Sequence, residues 1–430
     1  MLKFSHQKNT VRYYALILAL LSFLFFSGDL GMIDVQKTAI VMAVGVDKQE
    51  DTFIVTSQIA VPKPSKQGPS SQTVQIVSRG KTVADAFEEI NAKTGWYPKL
   101  VFCRLILLGE KTVQTDVFDA LDFFLLDEYL SDNCLIATCD TTAKELLNVA
   151  ALVDSSGALA MEKVLSSHAE RVGLVLPSTL RSFSIGYFSD SQSAFLPVLK
   201  TQPQQEQIGE ETGSGSLGSS GGQAGNQAQQ NDSSQSADSG EQGSQDGQSG
   251  RQNSQSGQEK DKPVFSASET ALFVRGKRVG TLSKEETFAV NAVRAHLKLA
   301  AYSVTVDDAA CTLNVKNNQV KRKLRVGQDG TATLQLNVKL TAGLLDYSKS
   351  LPLDKTKDAG EIPNGSFYAA ERALSAQLQT AFEKCKSCDC DLFGIKDSMQ
   401  KYRKKAYKKY KDSALASARL DASIRFISLR

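Results

Sequence analysis

The sequence has little with which to carry out catalysis. Its 430 residues include only three histidines, His6, His168 and His296, and a single tryptophan, Trp96. Histidine is the side chain whose ordinary pKa lies near neutrality, so the usual carrier of catalytic protons is nearly missing. His168, in Ser166-Ser167-His168-Ala169-Glu170, reads as a helix residue facing solvent rather than a base. There is no H-E-x-x-H, no P-loop, no nucleophile elbow and no G-x-G-x-x-G leading into a helix. No catalytic, cofactor-binding or metal-binding residue is assigned. A net charge of +3 with 23% charged residues gives no argument for nucleic acid as a partner.

Cysteine is scarce and odd in number. Seven thiols cannot all pair within one chain. Cys103, Cys134 and Cys139 lie in apolar stretches and read as small core residues. Cys385, Cys388 and Cys390 form a C-x-x-C-x-C group. It is open to a metal, a local bridge or an ordinary helix end, but no second Cys pair or His lies near it in sequence, so a four-ligand zinc site has little support. Asp307-Asp308, following Val306, reads as a turn between strands rather than a cation site.

A long apolar run is missing as well. Ala15–Phe26 is apolar except for Ser22 and is preceded by Lys3, Lys8 and Arg12. A run of roughly 10–14 residues suits a signal core, whereas a spanning helix needs about 20. Extension back through Tyr13 and Tyr14 gives a marginal span with an aromatic belt. The segment 1–28 is therefore a signal-anchor or a signal peptide, with everything after it exported. A bacterial lipoprotein leader has the same layout but ends in a lipidated Cys; here that position is Asp29, whose carboxylate cannot form the thioether.

What is present is two folded stretches around a polar one. Residues 204–262 are almost wholly Gln, Ser, Gly, Asn, Asp and Glu. Such a segment cannot bury enough apolar area to offset ordering entropy, so it is expected to be a disordered linker with a reach of roughly 40 Å. It could join two domains or balloon out from neighbouring domain edges.

In the module 32–201, Thr38–Val46 and Thr52–Val61 read as strands of a hairpin turning at Asp47–Asp51. Gln75–Val77 and Leu100–Leu108 read as further strands. Val83–Ala92, capped by Thr82, reads as a helix, and so does Val113–Leu126, with Val117, Leu121, Phe124 and Leu125 facing in. Cys134–Thr138 and Ala143–Val149 give another strand and helix.

In the module 263–430, Ser266–Arg275 and Val279–Leu282 form a hairpin, and Ser283 with Glu286 opens a helix. Val304–Val306, Cys311–Lys316, Val320–Val326 and Thr331–Leu340 are sheet-like. Helices are expected at Ser366–Lys386 and Gly394–Lys411, with a closing strand from Ala422. Within Lys401–Lys411, Tyr402, Ala406 and Tyr410 would share one helix face, and seven cations would face solvent or an anionic lipid surface. Strands and helices mix without strict alternation. The fold class is α+β: mixed sheets with helices packed on them, in two to three small domains.

Five stretches in this order resemble the C subunit of spore germinant receptors, the Ger(x)C or GerAC-like family. They are Thr38–Asp47, Lys81–Gly109 ending before Glu110, Leu121–Leu125, Ala271–Leu282, and Asp391-Leu392-Phe393-Gly394. Asp29 and Leu30 replace the family's lipidated Cys and following Trp, and the linker is an insertion. The resemblance implies a non-enzymatic subunit on the outer face of the spore inner membrane. Its partners would be integral membrane A and B subunits and the membrane surface, with no cofactor and no nucleic acid, and it would serve to sense nutrients and trigger germination. An extracytoplasmic envelope binding or structural protein tethered to the membrane is the alternative.

Overall fold

The computed structural model describes residues 12–22, 38–65, 68–149, 157–202, 264–294, 297–348 and 362–429. The expected linker, His296, Asp29 and the His168 side chain lie outside the described residues. Helix α1 covers 12–22, and every one of its residues is exposed. Among the described residues no helix is long and apolar enough to cross a membrane.

The first sheet begins with β1 (Thr38–Gln49), β2 (Thr52–Ser65) and β3 (Gly68–Gly80), which pair antiparallel. Helix α2 (Val83–Thr94) follows, with Thr82 Oγ1 accepting from Asp85 N and Gly95 closing it in the left-handed conformation. Short β4 (Tyr97–Lys99) and β5 (Leu105–Leu108) run parallel to β1. A 3-10 turn at Thr112–Gln114 leads to α3 (Phe118–Leu126), then β6 (Leu135–Cys139) and α4 (Ala143–Asn148). Helices α5 (Gly157–Val164), α6 (Ser167–Arg171) and α7 (Leu180–Phe188) precede β7 (Ser193–Gln202). Beyond residues 203–262, β8 (Val264–Val274) and β9 (Lys277–Leu282) join the same sheet.

The strand order is β3-β2-β1-β5-β6-β7-β8-β9, with β4 beside β1. Strand β5 shows why its sequence is unbroken apolar. Ile106 and Leu108 enter the core under α2, α3 and α7, while Leu105 and Leu107 enter the core under α4 and α5. A strand covered on both faces has no polar side to show. The polar stretch interrupts this sheet in sequence only: β7 and β8 are antiparallel neighbours, and Gln202 pairs with Val264 at its two ends.

The second sheet follows α8 (Lys284–Arg294). It comprises β10 (Ala300–Val306), β11 (Ala309–Val326), β12 (Ala332–Tyr347) and, after three helices, β13 (Arg419–Ser428). Those helices are α9 (Ser366–Ser387), α10 (Ile395–Tyr402) and α11 (Lys404–Tyr410). Strand β10 alternates buried and exposed residues, the pattern of a sheet with one covered face. Leu374, Leu378 and Phe382 of α9 fill that face with Leu313, Leu336 and Phe426. The buried Glu286 carboxylate, which also caps α8 through Ser283 N, pairs with Lys384 of α9 at 2.7 Å. The mixed sheets and packed helices are the α+β architecture expected from the sequence.

Four local expectations change. Leu100–Leu108 is not one strand: the chain turns, Cys103 N donating to Leu100 O at 2.8 Å, and Val101 and Phe102 are exposed. Val113–Leu126 divides into the 3-10 turn and α3, and Leu125 faces outward. Val320–Val326 continues β11 rather than forming its own strand. The basic tail helix breaks at Arg403, whose φ of −137° and ψ of 46° are not helical. That break rotates the face, so Tyr407 is buried and Tyr402 is exposed.

Candidate functional site

Three aspartates anchor distant segments, and each lies in or against a stretch named above. Asp47, at the end of β1, was expected in a turn. Instead it is buried, and its carboxylate accepts Ala143 N at 2.8 Å and Lys144 N at 3.1 Å, closing the amino end of α4. An anion there satisfies free helix amides and faces the positive end of the helix dipole. Gly109 sits against that carboxylate, and a Cβ on it would fall on Asp47 Oδ1. This accounts for glycine at the end of that strand. Burial raises the Asp47 pKa, against the lowering effect of the two amides.

Asp116 Oδ1 accepts Phe118 N, and its Oδ2 accepts the Tyr187 hydroxyl, both at 3.0 Å. Gly276, in the β8–β9 turn with φ of 74°, leaves space for it, and Gly276 O accepts Val117 N. Asp391 of Asp391-Leu392-Phe393-Gly394 accepts Ile395 N and Lys396 N, both at 2.7 Å, at the start of α10. The arginines Arg294 and Arg322 donate to Leu392 O and Phe393 O of the same loop.

Burial pushes the Asp391 carboxyl up to about 6, although its two backbone donors pull the other way. An acid with a raised folded pKa contributes stability that is complete below its ordinary value of 3.8 and is lost as pH rises through about 6. That contribution is on the order of 3 kcal/mol. Asp391→Asn is therefore expected to flatten the fall in urea-unfolding stability between pH 4 and 7. Identical pH slopes in the two proteins would contradict this.

Three clefts flank these joints. One of about 370 Å³ lies at Asp47, Glu110 and Glu145. A second, of about 560 Å³, lies between α7, the end of α8 and the Asp391 loop, with Arg294, Arg322, Glu170 and Asp397 on its walls. The third, of about 640 Å³, lies between the loop after α7, the β8–β9 turn and α10–α11.

All seven cysteines are free thiols. The C-x-x-C-x-C group is the carboxyl end of α9: Cys385 and Cys390 are buried in the second core and Cys388 is half-buried. Burial is the main force raising the pKa of Cys139, Cys385, Cys388 and Cys390. The thiol of Cys103 beside Cys134, followed by burial, raises that of Cys134. Among the described residues no group of His, Cys, Asp or Glu is placed to hold a metal ion. Iodoacetamide at pH 8 is expected to alkylate Cys388 alone in the native protein and all seven thiols after denaturation. Fast labelling of Cys385 or Cys390 in the native protein would show that this end of α9 is open.

Comparison with known proteins accounts for the order of these segments. Residues 31–201 match the spore germination protein N-terminal domain, and residues 268–424 match the spore germination B3/GerAC-like C-terminal domain. No curated protein gives a match. The crystal structure of the GerBC protein aligns at 15% identity with a TM-score of 0.48, covering 90% of this chain and 97% of that one. The two matched domains span most of the sequence, one before and one after the polar stretch, and on that basis the chain belongs to the GerAC-like family of spore germination proteins.

Proposed function

We propose that the chain is a non-enzymatic, membrane-attached subunit of a spore germinant receptor. It stands on the outer face of the spore inner membrane, held by its apolar amino-terminal segment as a retained signal-anchor, and it assembles with integral membrane A and B subunits. The observation that carries this reading is the family match on both sides of the polar stretch. The chemistry of the buried acids supports it. Asp47, Asp116 and Asp391 all spend carboxylate oxygens on backbone amides. Carboxylates engaged in this way hold segments of the chain together. The exposed apolar residues of α1 support the attachment, because such a surface in water costs free energy that a bilayer removes.

Function then consists of docking and coupling. The folded part binds its membrane partners and stabilises the assembly that responds to nutrients. Spores lacking the chain are expected to lose their response to at least one nutrient germinant. An unchanged response across a broad nutrient panel would count against the receptor reading.

A further inference from the structure

The 640 Å³ cleft has an unbalanced wall. Arg275, Lys396, Lys404, Lys408 and Lys411 line it against only three acids, Asp190, Asp389 and Asp412. Two of those acids are already engaged. Asp190 accepts from the Tyr407 hydroxyl at 3.0 Å and from Gln400, while Asp389 pairs with Lys396 at 3.1 Å. Among the described residues no ion pair involves Arg275, Lys404, Lys408 or Lys411. Lys404 and Lys408 of α11 and Lys411 just past its end recur at helical spacing, so three ammonium groups line one side of the cleft. Like charges at that spacing destabilise a helix.

The backbone around the cleft is also unusual. Gln192, Arg275 and Asp389 have φ of 48°, 50° and 53°, and all three line it. Residues other than glycine adopt this region at a cost, and such residues gather where a ligand is gripped. Arg275 takes this conformation in the two-residue β8–β9 turn, as Glu50, Asp307 and Asp308 do in their hairpin turns, and Asp389 takes it just past the end of α9; what distinguishes the cleft is that three such residues meet at its wall. Here Arg275 N donates to Gln192 O at 2.9 Å and Arg275 Nε to Gln192 Oε1 at 3.2 Å, so two left-handed residues brace one guanidinium at the cleft wall.

We propose that this cleft binds a small multivalent anion, whose phosphate or carboxylate groups are shared between the Arg275 guanidinium and the ammonium groups of Lys404, Lys408 and Lys411. A guanidinium takes such groups through two parallel N–H donors, and lysines add point charges around it. A soluble polyphosphate and the headgroup of an anionic lipid offer the same chemistry, and the two sources can be separated.

The test uses the full chain in neutral detergent, with tripolyphosphate as the soluble probe and phosphatidylglycerol vesicles as the lipid probe. Lys404→Gln/Lys408→Gln removes two charges from the cleft wall. Lys405→Gln/Lys409→Gln removes two from the same helix but outside the cleft. All four lysines are exposed, so both double variants should fold. Calorimetry is expected to show tripolyphosphate binding weakened roughly tenfold or more by the first pair, which removes charge-assisted contacts, and unchanged by the second. Vesicle binding that follows the first pair alone and is displaced by tripolyphosphate would identify a headgroup as a natural source of the anion. Equal weakening by both pairs, with either probe, would show an unspecific basic helix and overturn the proposal. So would failure of tripolyphosphate to bind.

Discussion

Gly109→Ala is expected to destabilise the protein by roughly 3 kcal/mol, far more than one methyl group at an ordinary site. The new Cβ would lie 1.9 Å from Asp47 Oδ1, far inside contact distance. The carboxylate would have to swing away, and Ala143 N and Lys144 N would lose their Asp47 acceptor while Asp47 stays buried. A buried charge without its donors is among the costlier defects a fold can carry. Gly276→Ala adds backbone strain at φ of 74° to the same kind of collision, with Asp116, and is expected to cost about 4 kcal/mol. Gly95→Ala is the control. It has φ of 70° with nothing within 4 Å of the new atom, so only the conformational cost remains, about 1 kcal/mol. Denaturant unfolding should therefore rank Gly276 at or above Gly109, and both well above Gly95. A Gly109 effect no larger than the Gly95 effect would remove the carboxylate joint from the account.

Replacing Leu16, Leu18, Leu20 and Leu21 with serine is expected to release the protein from membranes. Each of these leucines is between 55% and 70% exposed on α1, so no folded core competes for them. A buried leucine gains about 1.5–3 kcal/mol, and four together supply roughly 6–12 kcal/mol of attachment. Loss of most of that lowers the partition constant by about four orders of magnitude or more. The folded part should survive, because none of these residues belongs to any of the three apolar cores. Fractionation in high salt should then move the variant from pellet to supernatant with unchanged circular dichroism. A variant that still sediments would place the attachment elsewhere in the chain.

Local signals in the sequence were legible where the interaction that decides structure is local. Thr82 ahead of an apolar helical stripe, and Ser283 three residues before Glu286, announced their helices because both caps are made within one turn. Thr38–Val46 and Thr52–Val61 gave a hairpin because the turn lies between them. Asp47 was misplaced because its partner amides are 96 and 97 residues away. Acidic residues in a short polar run look like a turn until the fold brings a helix start to them. The run Leu100–Leu108 failed differently. A run dense in large apolar residues, broken only by Arg104, is compatible with a strand or a turn, and only the parallel register of β4 and β5 on β1 shows that Val101 and Phe102 bulge out between them. The tyrosine stripe failed because one non-helical residue, Arg403, resets the phase; Tyr407 then takes the buried position and reaches Asp190. The cationic cleft was only half visible. The lysines of α11 stood out in the sequence, but Gln192, Arg275 and Asp389 come from three other segments and meet only in the folded chain.

The central claim is that the folded part exists to join a membrane receptor. The most direct measurement is affinity purification of a tagged full-length chain from the inner membranes of dormant spores, in mild detergent, with the co-purifying proteins identified by mass. The account predicts integral membrane receptor subunits in near-equal amounts, lost together when α1 carries the four serine substitutions. Recovery of the chain alone from the membrane, with intact fold and no integral partner, would contradict it and leave a tethered envelope protein in its place.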